Sequence, residues 1–522
     1  MNKSFLIALL VLSCLQSIAQ QPYTTVLHNH VIIGENLITK QDIQATEYFF
    51  PHHIRNFYFD TITGYLSVQT REQFERGRQS IFGDLLIYDT ESHSVKWSKE
   101  INYADGFILQ STRNLIENLR NRSHRLNIHN GENMWTIRNN IVIIDELNQI
   151  GMGYRTRPLN QITNTLQGID MKSGDVLWQR EVSHDLGWNG IYGINDTTIF
   201  IVAGGLHSIN LLNGKGWSYE AVTGIKDHSA SVLTTLAGLA FGAATGVFFW
   251  STGYNLIGNL VSDILEDDNS IYFTCSEKIT RFDKETGRII WFNILPEGMA
   301  GTSRLIEYDS IVFLLNWGIA HRGNQIIHYG KPFLASFDKE TGIRKDLRVF
   351  FDEKNSILDY EILDSLLFMI FRDKIVSFSL KSGRFLKEKP IDPEDTEGLV
   401  VFLGKHIYML DEFDHFISIR ETEPSKLFVI TQNRKILQFD RDLNLLSQIQ
   451  DKTFYRKHLK SNKLRFLAYE NETIVVDSQN KKVTKLPITF NAMIFGDKLY
   501  AADGKKLLEI DLKQLFDTNT KP

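Results

Sequence analysis

Cysteine is almost missing from this chain: its two thiols are Cys14 and Cys275. Cys14 falls within an apolar N-terminal stretch that reads as a removable targeting segment. The mature chain would then keep Cys275 alone, which excludes an intrachain disulfide even in an oxidising compartment. Proline is also scarce, at 10 residues in 522, and 43% of the chain is hydrophobic, so no half of it has a disordered composition. Charge of one sign does not dominate. With 57 basic against 62 acidic residues the net charge is −5, which argues against a general nucleic-acid binder. The sequence has no G-x-S-x-G elbow, no phosphate-cradling P-loop and no CxxC zinc pair.

What it does have is a recurring short unit. Ile279-Thr-Arg-Phe-Asp-Lys-Glu-Thr-Gly-Arg-Ile-Ile-Trp291 returns as Leu166–Trp178, as Leu334–Arg344 and, more weakly, as Leu85–Trp97. Such self-similarity fixes the architecture before any single residue is interpreted. The unit reads as strand, tight turn, strand. Alternating apolar residues suit a half-buried strand with Arg281 facing outward. Asp170, Asp283 and Asp338 close the strand by accepting from the backbone amides of the next two residues. Gly174, Gly287 and Gly342 supply the positive φ of the turn. The second strand ends on Trp97, Trp178, Trp217 or Trp291, rings large enough to fill the space between neighbouring sheets.

Aligned on the acidic position, the copies fall at Asp89, Asp170, Asn210, Asp283, Asp338, Ser379, Asp440, Asp477 and Asp511, many of them 34 to 41 residues apart. That spacing suits one four-stranded blade per copy. The expected fold is therefore all-β, a propeller of about eight blades with seven as the alternative. Asp511 would be a surplus match, or the last blade would be completed by an N-terminal strand near Val26 to Ile33. Longer gaps imply insertions at about 104–133 and 229–260.

The D-x-x-T/S-G-x-x-x-W pattern, covering roughly Tyr58 to Leu512, resembles the repeat of pyrroloquinoline-quinone (PQQ) dehydrogenases and their non-catalytic relatives. Among those relatives is the periplasmic propeller lipoprotein family of the outer-membrane β-barrel assembly machinery. The resemblance implies blades docked by this motif. It transfers no active site, because the motif itself does not bind the quinone. A quinoprotein site would need a catalytic Asp, Ca²⁺ ligands, a stacking aromatic and often a vicinal disulfide. The last is impossible here, so no cofactor and no catalytic or metal-binding residue is assigned.

Residues 1–19 read as a signal peptide, with Lys3, the apolar run Phe5 to Leu12, and Ser17-Ile18-Ala19 before the cut. A single propeller domain would then occupy 20–522. The rival reading is a lipobox with Cys14 lipidated. The most unusual stretch, Ser231 to Trp250, lacks any charge and is long enough to cross a bilayer as a helix. Gly238, Gly242 and Gly246 would line one face of that helix, and Phe248, Phe249 and Trp250 close it, a candidate surface for a membrane or partner. Both ends must return to one ring, so a single crossing is excluded, and docking on the propeller itself is the other setting.

The remaining features read as structural. Trp135, Trp188 and Trp317 stand outside the repeat position and suit either core or channel lining. His28 and His30 share a strand face without a third ligand. Arg113 to Arg125 reads as a basic stretch in an insertion, a polar solvated loop with a helix as the alternative, and Cys275 as a buried inert thiol. Two function classes follow: an exported, non-enzymatic propeller presenting loops to envelope proteins, or an enzyme or small-ligand binder using the central channel.

Overall fold

The computed structural model describes residues 26–516 apart from 74–78, 159–160, 194–196, 227–255, 324, 351–355, 393–400, 403–406, 411–415, 419–424, 432–434, 450–454, 462, 470–471 and 489–490. These residues form antiparallel strands with one 3₁₀ turn, Leu512–Leu515. Four-strand sheets succeed one another along the chain at 53–102, 106–137, 139–181, 188–220, 265–294, 303–349, 359–390 and 401–449, and 455–486 supplies four strands of a six-strand sheet. We number them blades 1 to 9. A tenth sheet closes the set. Its strands Ala492–Phe495, Lys498–Asp503 and Lys506–Asp511 are joined by Asp42–Phe49, with Leu27–Glu35 as a fifth strand outside. Hydrophobic clusters span successive sheets, for example Leu85 and Ile87 with Leu115 and Leu126, and Tyr272 with Val312 and Phe337. The architecture is a multi-blade β-propeller.

Among the described residues ten sheets have blade order, against the eight expected. The difference has a definite source. Residues 104–133, expected as an insertion, lie largely within blade 2, and Arg113 to Arg125, expected as a polar solvated loop, falls largely in the strands Asn114–Leu119 and Arg122–Leu126. Its repeat has Asn127 at the acidic position, as another copy has Asn210. Gly131 and Trp135 then follow at the regular spacing, so Trp135 is in the repeat after all. Asp511 is no surplus match, since it ends the third strand of the closing sheet. The N-terminal strand that pairs with it is Asp42–Phe49, through Ala45 opposite Ile510 and Phe49 opposite Lys506, while Leu27–Glu35 lies one strand further out.

Third strands are buried on both faces, as in Lys278–Asp283 and Phe333–Asp338, because a neighbouring blade covers each side. Arg281, expected to face outward, is therefore buried. It donates to Ser270 Oγ at 3.0 Å and reaches the next blade at Lys339 O and Glu340 Oε2, both 2.9 Å. Outer strands keep one ring inward: Trp291 is buried between exposed Ile290 and Phe292.

Where the turn opens on Asp, its carboxylate builds the turn. Asp170 Oδ1 accepts from the amides of Lys172 and Ser173 at 2.7 and 2.8 Å, and Asp338 Oδ1 from Glu340 and Thr341 at 3.2 and 3.0 Å. The amides are those two and three residues on, not the next two. A register shift sits just before the turn in copy after copy, at Gly168/Ile169, Arg281/Phe282 and Ser336/Phe337, the bulge a five-residue connection requires.

The indole rings tie blade to blade. Trp97, Trp135, Trp178, Trp217 and Trp291 each donate Nε1–H to a backbone carbonyl in the next turn: Ile128, Met171, Leu211, Lys284 and Lys339, at 2.6 to 3.1 Å. Each ring also covers the glycine of that turn. A Cβ on Gly131, Gly174, Gly214, Gly287 or Gly342 would meet the ring of Trp97, Trp135, Trp178, Trp217 or Trp291 at 2.3 to 2.9 Å. The glycine is required twice over, by φ and by the indole against it. Trp188 is core, donating to Tyr154 Oη at 2.7 Å, and Trp317 packs partly buried near Tyr360.

Replacing Gly287, at φ +69, by Val should both strain the turn and push on Trp217. The expected loss is about 1–3 kcal/mol, read as a lowered melting temperature. A second expectation concerns acid. His207 is buried, with Nδ1 2.8 Å from Ser218 Oγ and Nε2 2.9 Å from Ala203 O. Burial pushes its pKa down from 6.5 to about 4. The unfolded chain therefore binds this proton more readily, and stability should fall as pH drops from 6.5 toward 4, by on the order of 3 kcal/mol at most. In His207→Gln, denaturant melts across that window should have a shallower pH slope.

Candidate functional site

The residues singled out for membrane or partner contact, Gly238, Gly242, Gly246, Phe248, Phe249 and Trp250, lie outside the described residues. So does most of the insertion expected at 229–260, whose tail Leu256–Gly258 is strand. Its flanks are informative. Ile225–Lys226 pairs with Leu256–Gly258, Lys226 standing opposite Leu256, so the chain leaves and returns at one point. Leu256–Gly258 then pairs with Ile319–Arg322, which forms a hairpin with Gln325–His328 out of blade 6. The result is an accessory four-strand sheet that joins the connection between blades 4 and 5 to a loop of blade 6. Leu256, Ile319 and Ala320 are buried in it, while Ile225 and Ile326 are exposed.

The acidic residues of the repeat are committed to their turns. Asp338 is held down to about 2, first by the Thr341 amide and then by Lys345, 3.1 Å away. Asp170 and Asp283 are likewise lowered, by the Ser173 amide and by Thr286 respectively. These carboxylates are structural anions rather than proton-transfer groups.

Cys275 is a free, buried thiol, raised in pKa by burial. His28 and His30 are 6.5 Å apart between ring centroids, and His93, from the Asp89 turn, stacks on His28 at 4.1 Å. The sequence could not foresee this third imidazole. Among the described residues no group of three His, Cys, Asp or Glu could hold a metal ion, and no described helix is long and apolar enough to cross a membrane.

Two clefts open between blades 1 and 2. One, of about 450 Å³, lies beside Glu100, Asp105, Glu117, Arg120 and Arg122. Three of these five charges are paired, Arg120 with Asp105 at 2.7 Å and Glu117 with Lys99 at 2.5 Å. The other, of about 270 Å³, lies where the Asp60, Thr112 and Asn127 turns meet. Its walls are Leu115, Leu126, Ile128 and Met134, with Asp60, Arg113, Asn114 and Arg125 as the principal polar groups. Burial lowers the Arg125 pKa, although Asp170 and Glu146 oppose that shift. Sequence reading took Arg113 to Arg125 as a solvated loop and so missed this cleft. The signal that could have found it was the degenerate repeat at Asn127, Gly131 and Trp135.

No known family and no curated protein matches the chain. Solved structures do resemble it. BamB from Moraxella catarrhalis is 13% identical over 73% of this chain and 96% of its own, with a TM-score of 0.31. Quinohemoprotein alcohol dehydrogenase from Comamonas testosteroni is 8% identical over 70% of this chain and 73% of its own, at 0.33. The Cps50 (Swd1) β-propeller domain from Myceliophteria thermophila is 9% identical over 74% of this chain and 97% of its own, at 0.27. At such identities and scores the likeness says nothing of chemistry, and the propeller architecture of this chain rests on its own sheet order.

Proposed function

We propose that this chain is an exported, non-enzymatic propeller that presents loops to a protein partner in the cell envelope. The observation that carries this reading is the accessory sheet of Ile225–Lys226, Leu256–Gly258, Ile319–Arg322 and Gln325–His328. It adds strands that no blade needs, leaves Ile225 and Ile326 exposed, and pairs the two described flanks of the apolar stretch 231–250. A ring that only had to close would not need this structure; a surface for a partner or a membrane interface would. Export is supported by Lys3, the run Phe5 to Leu12 and Ser17-Ile18-Ala19. The repeat carboxylates and indoles are already occupied in turns and blade docking, which supports scaffolding over catalysis.

Deleting 231–250 tests the proposal. The expected outcome is a soluble protein released from envelope fractions, with its melting temperature kept; aggregation of the deletion would instead mean that the segment covers the propeller's own apolar surface. In wild type, Gly242→Leu should weaken envelope association, measured by fractionation. The competing enzyme reading is tested separately. The purified mature protein, given PQQ and Ca²⁺, should oxidise neither alcohols nor sugars in a dye-linked assay, and saturable activity would overturn the scaffold reading.

A further inference from the structure

Near the tip of the blade 1 hairpin made by Tyr65–Gln73 and Gln79–Asp89, two arginines meet one aromatic ring. The guanidinium carbon of Arg55 lies 4.4 Å from the centre of the Tyr103 ring, and that of Arg71 lies 5.2 Å from it. Each part is held in place. Gly83 seats the ring, since a Cβ there would meet Tyr103 Cε2 at 2.8 Å, and the Tyr103 hydroxyl donates to Thr70 O at 3.0 Å. Arg55 is the extra residue of a bulge, because Ile54 pairs with Thr70 and Asn56 with Gln69, and a bulge re-aims the side chain it carries. Arg71 is fixed by the hairpin, donating through Nε to Ser80 O and through Nη1 to Gln79 Oε1 at 3.1 Å.

What the two cations lack is an anion. Among the described residues neither has a carboxylate partner, and the Arg55 guanidinium donates to no protein acceptor. Burial pushes the Arg55 pKa down and the neighbouring Arg71 adds to that, against the pull of Tyr103. Asp84 does not serve as the counter-ion: burial raises its own pKa, and the charge that opposes that rise is His52. A ring holds a guanidinium by its face and leaves the N–H edge free. Two positive charges without a counter-ion suit a doubly charged anion, and guanidinium forks match phosphate oxygens in charge-assisted pairs. Ile81, whose carbonyl accepts from Tyr103 N, and Phe82 after it are 49% and 45% exposed, apolar surface for the organic part of an ester.

We propose that Arg55 and Arg71 bind a phosphate monoester group, of a soluble compound or of a lipid headgroup, with Tyr103 as the platform that holds both guanidinium groups. The phosphate supplies the anion that the blade itself does not. The site shares no residue with the accessory sheet, so it can stand or fall without the scaffold reading.

The test has two arms, both with the full mature chain at constant ionic strength. One is calorimetric titration with glycerol 3-phosphate and, as a singly charged control, acetate; the other is sedimentation with phosphatidylcholine vesicles with and without phosphatidic acid. Saturable binding of glycerol 3-phosphate identifies a soluble ester as occupant, and added retention by phosphatidic acid alone identifies a lipid headgroup. Arg55→Ala and Arg55→Glu change an exposed side chain and should weaken whichever binding is seen by at least about tenfold, with the melting temperature kept. Three results would overturn the proposal: no binding of glycerol 3-phosphate at millimolar concentration together with no added retention by phosphatidic acid; acetate binding as tightly as the ester; or binding unchanged in both variants.

Discussion

An indole ring lying on the glycine of the next blade's turn is the contact on which the rest of this ring depends. A blade alone is a small sheet with two apolar faces, too small to bury them by itself. Docking must therefore be both tight and directional. The ring supplies area, and its Nε1–H, aimed at the carbonyl just after the acidic turn residue, supplies direction. The turn must present that carbonyl and a glycine without Cβ in the same place. That demand accounts for the Asp, the Gly and the Trp of the repeat together, because they belong to one interface seen from two blades.

Closure makes a second, different demand. The last sheet has only three strands of its own, and Asp42–Phe49 supplies the next. Tyr48 donates to Glu509 Oε2 at 2.8 Å, and Lys498 bonds the other carboxylate oxygen at 2.5 Å. The seam thus joins both ends of the chain through a part-buried charge with two partners, which fixes register where hydrophobic packing alone would permit slippage. Tyr88 and Tyr500 line the same seam, and the pKa of each is pushed up, first by burial and then by Glu509.

Accessory elements appear where the repeat is interrupted. Two connections, after blade 4 and within blade 6, pair into their own sheet, and the hairpin Ile407–Leu410 with Phe416–Ser418 adds to the inner strand of blade 9. Such pairing satisfies backbone groups that would otherwise be left on exposed loops. It also gives a repeat protein surfaces that differ from one side to another, as recognition needs.

The amino-acid order alone determined the blade: alternating strands, an acidic turn, a positive-φ glycine and a terminal tryptophan are local requirements, legible wherever the residues are kept. It also marked Cys275 as an inert thiol and the acidic residues as structural. At Asn127 the repeat went unread, although Asn210 holds the same position in another copy, and with it went blade 2 and Trp135; setting Asp511 aside as surplus removed the other blade. Tertiary structure alone decided the rest. Arg281 is buried because a neighbouring blade covers it, which no strand alternation reports. His93 meets His28, and Arg125 reaches Met171 O in the next blade, only because ring closure and blade docking bring distant turns together. Local pattern encodes the unit, while the site arises between units, where the residues that meet have no fixed spacing in the chain.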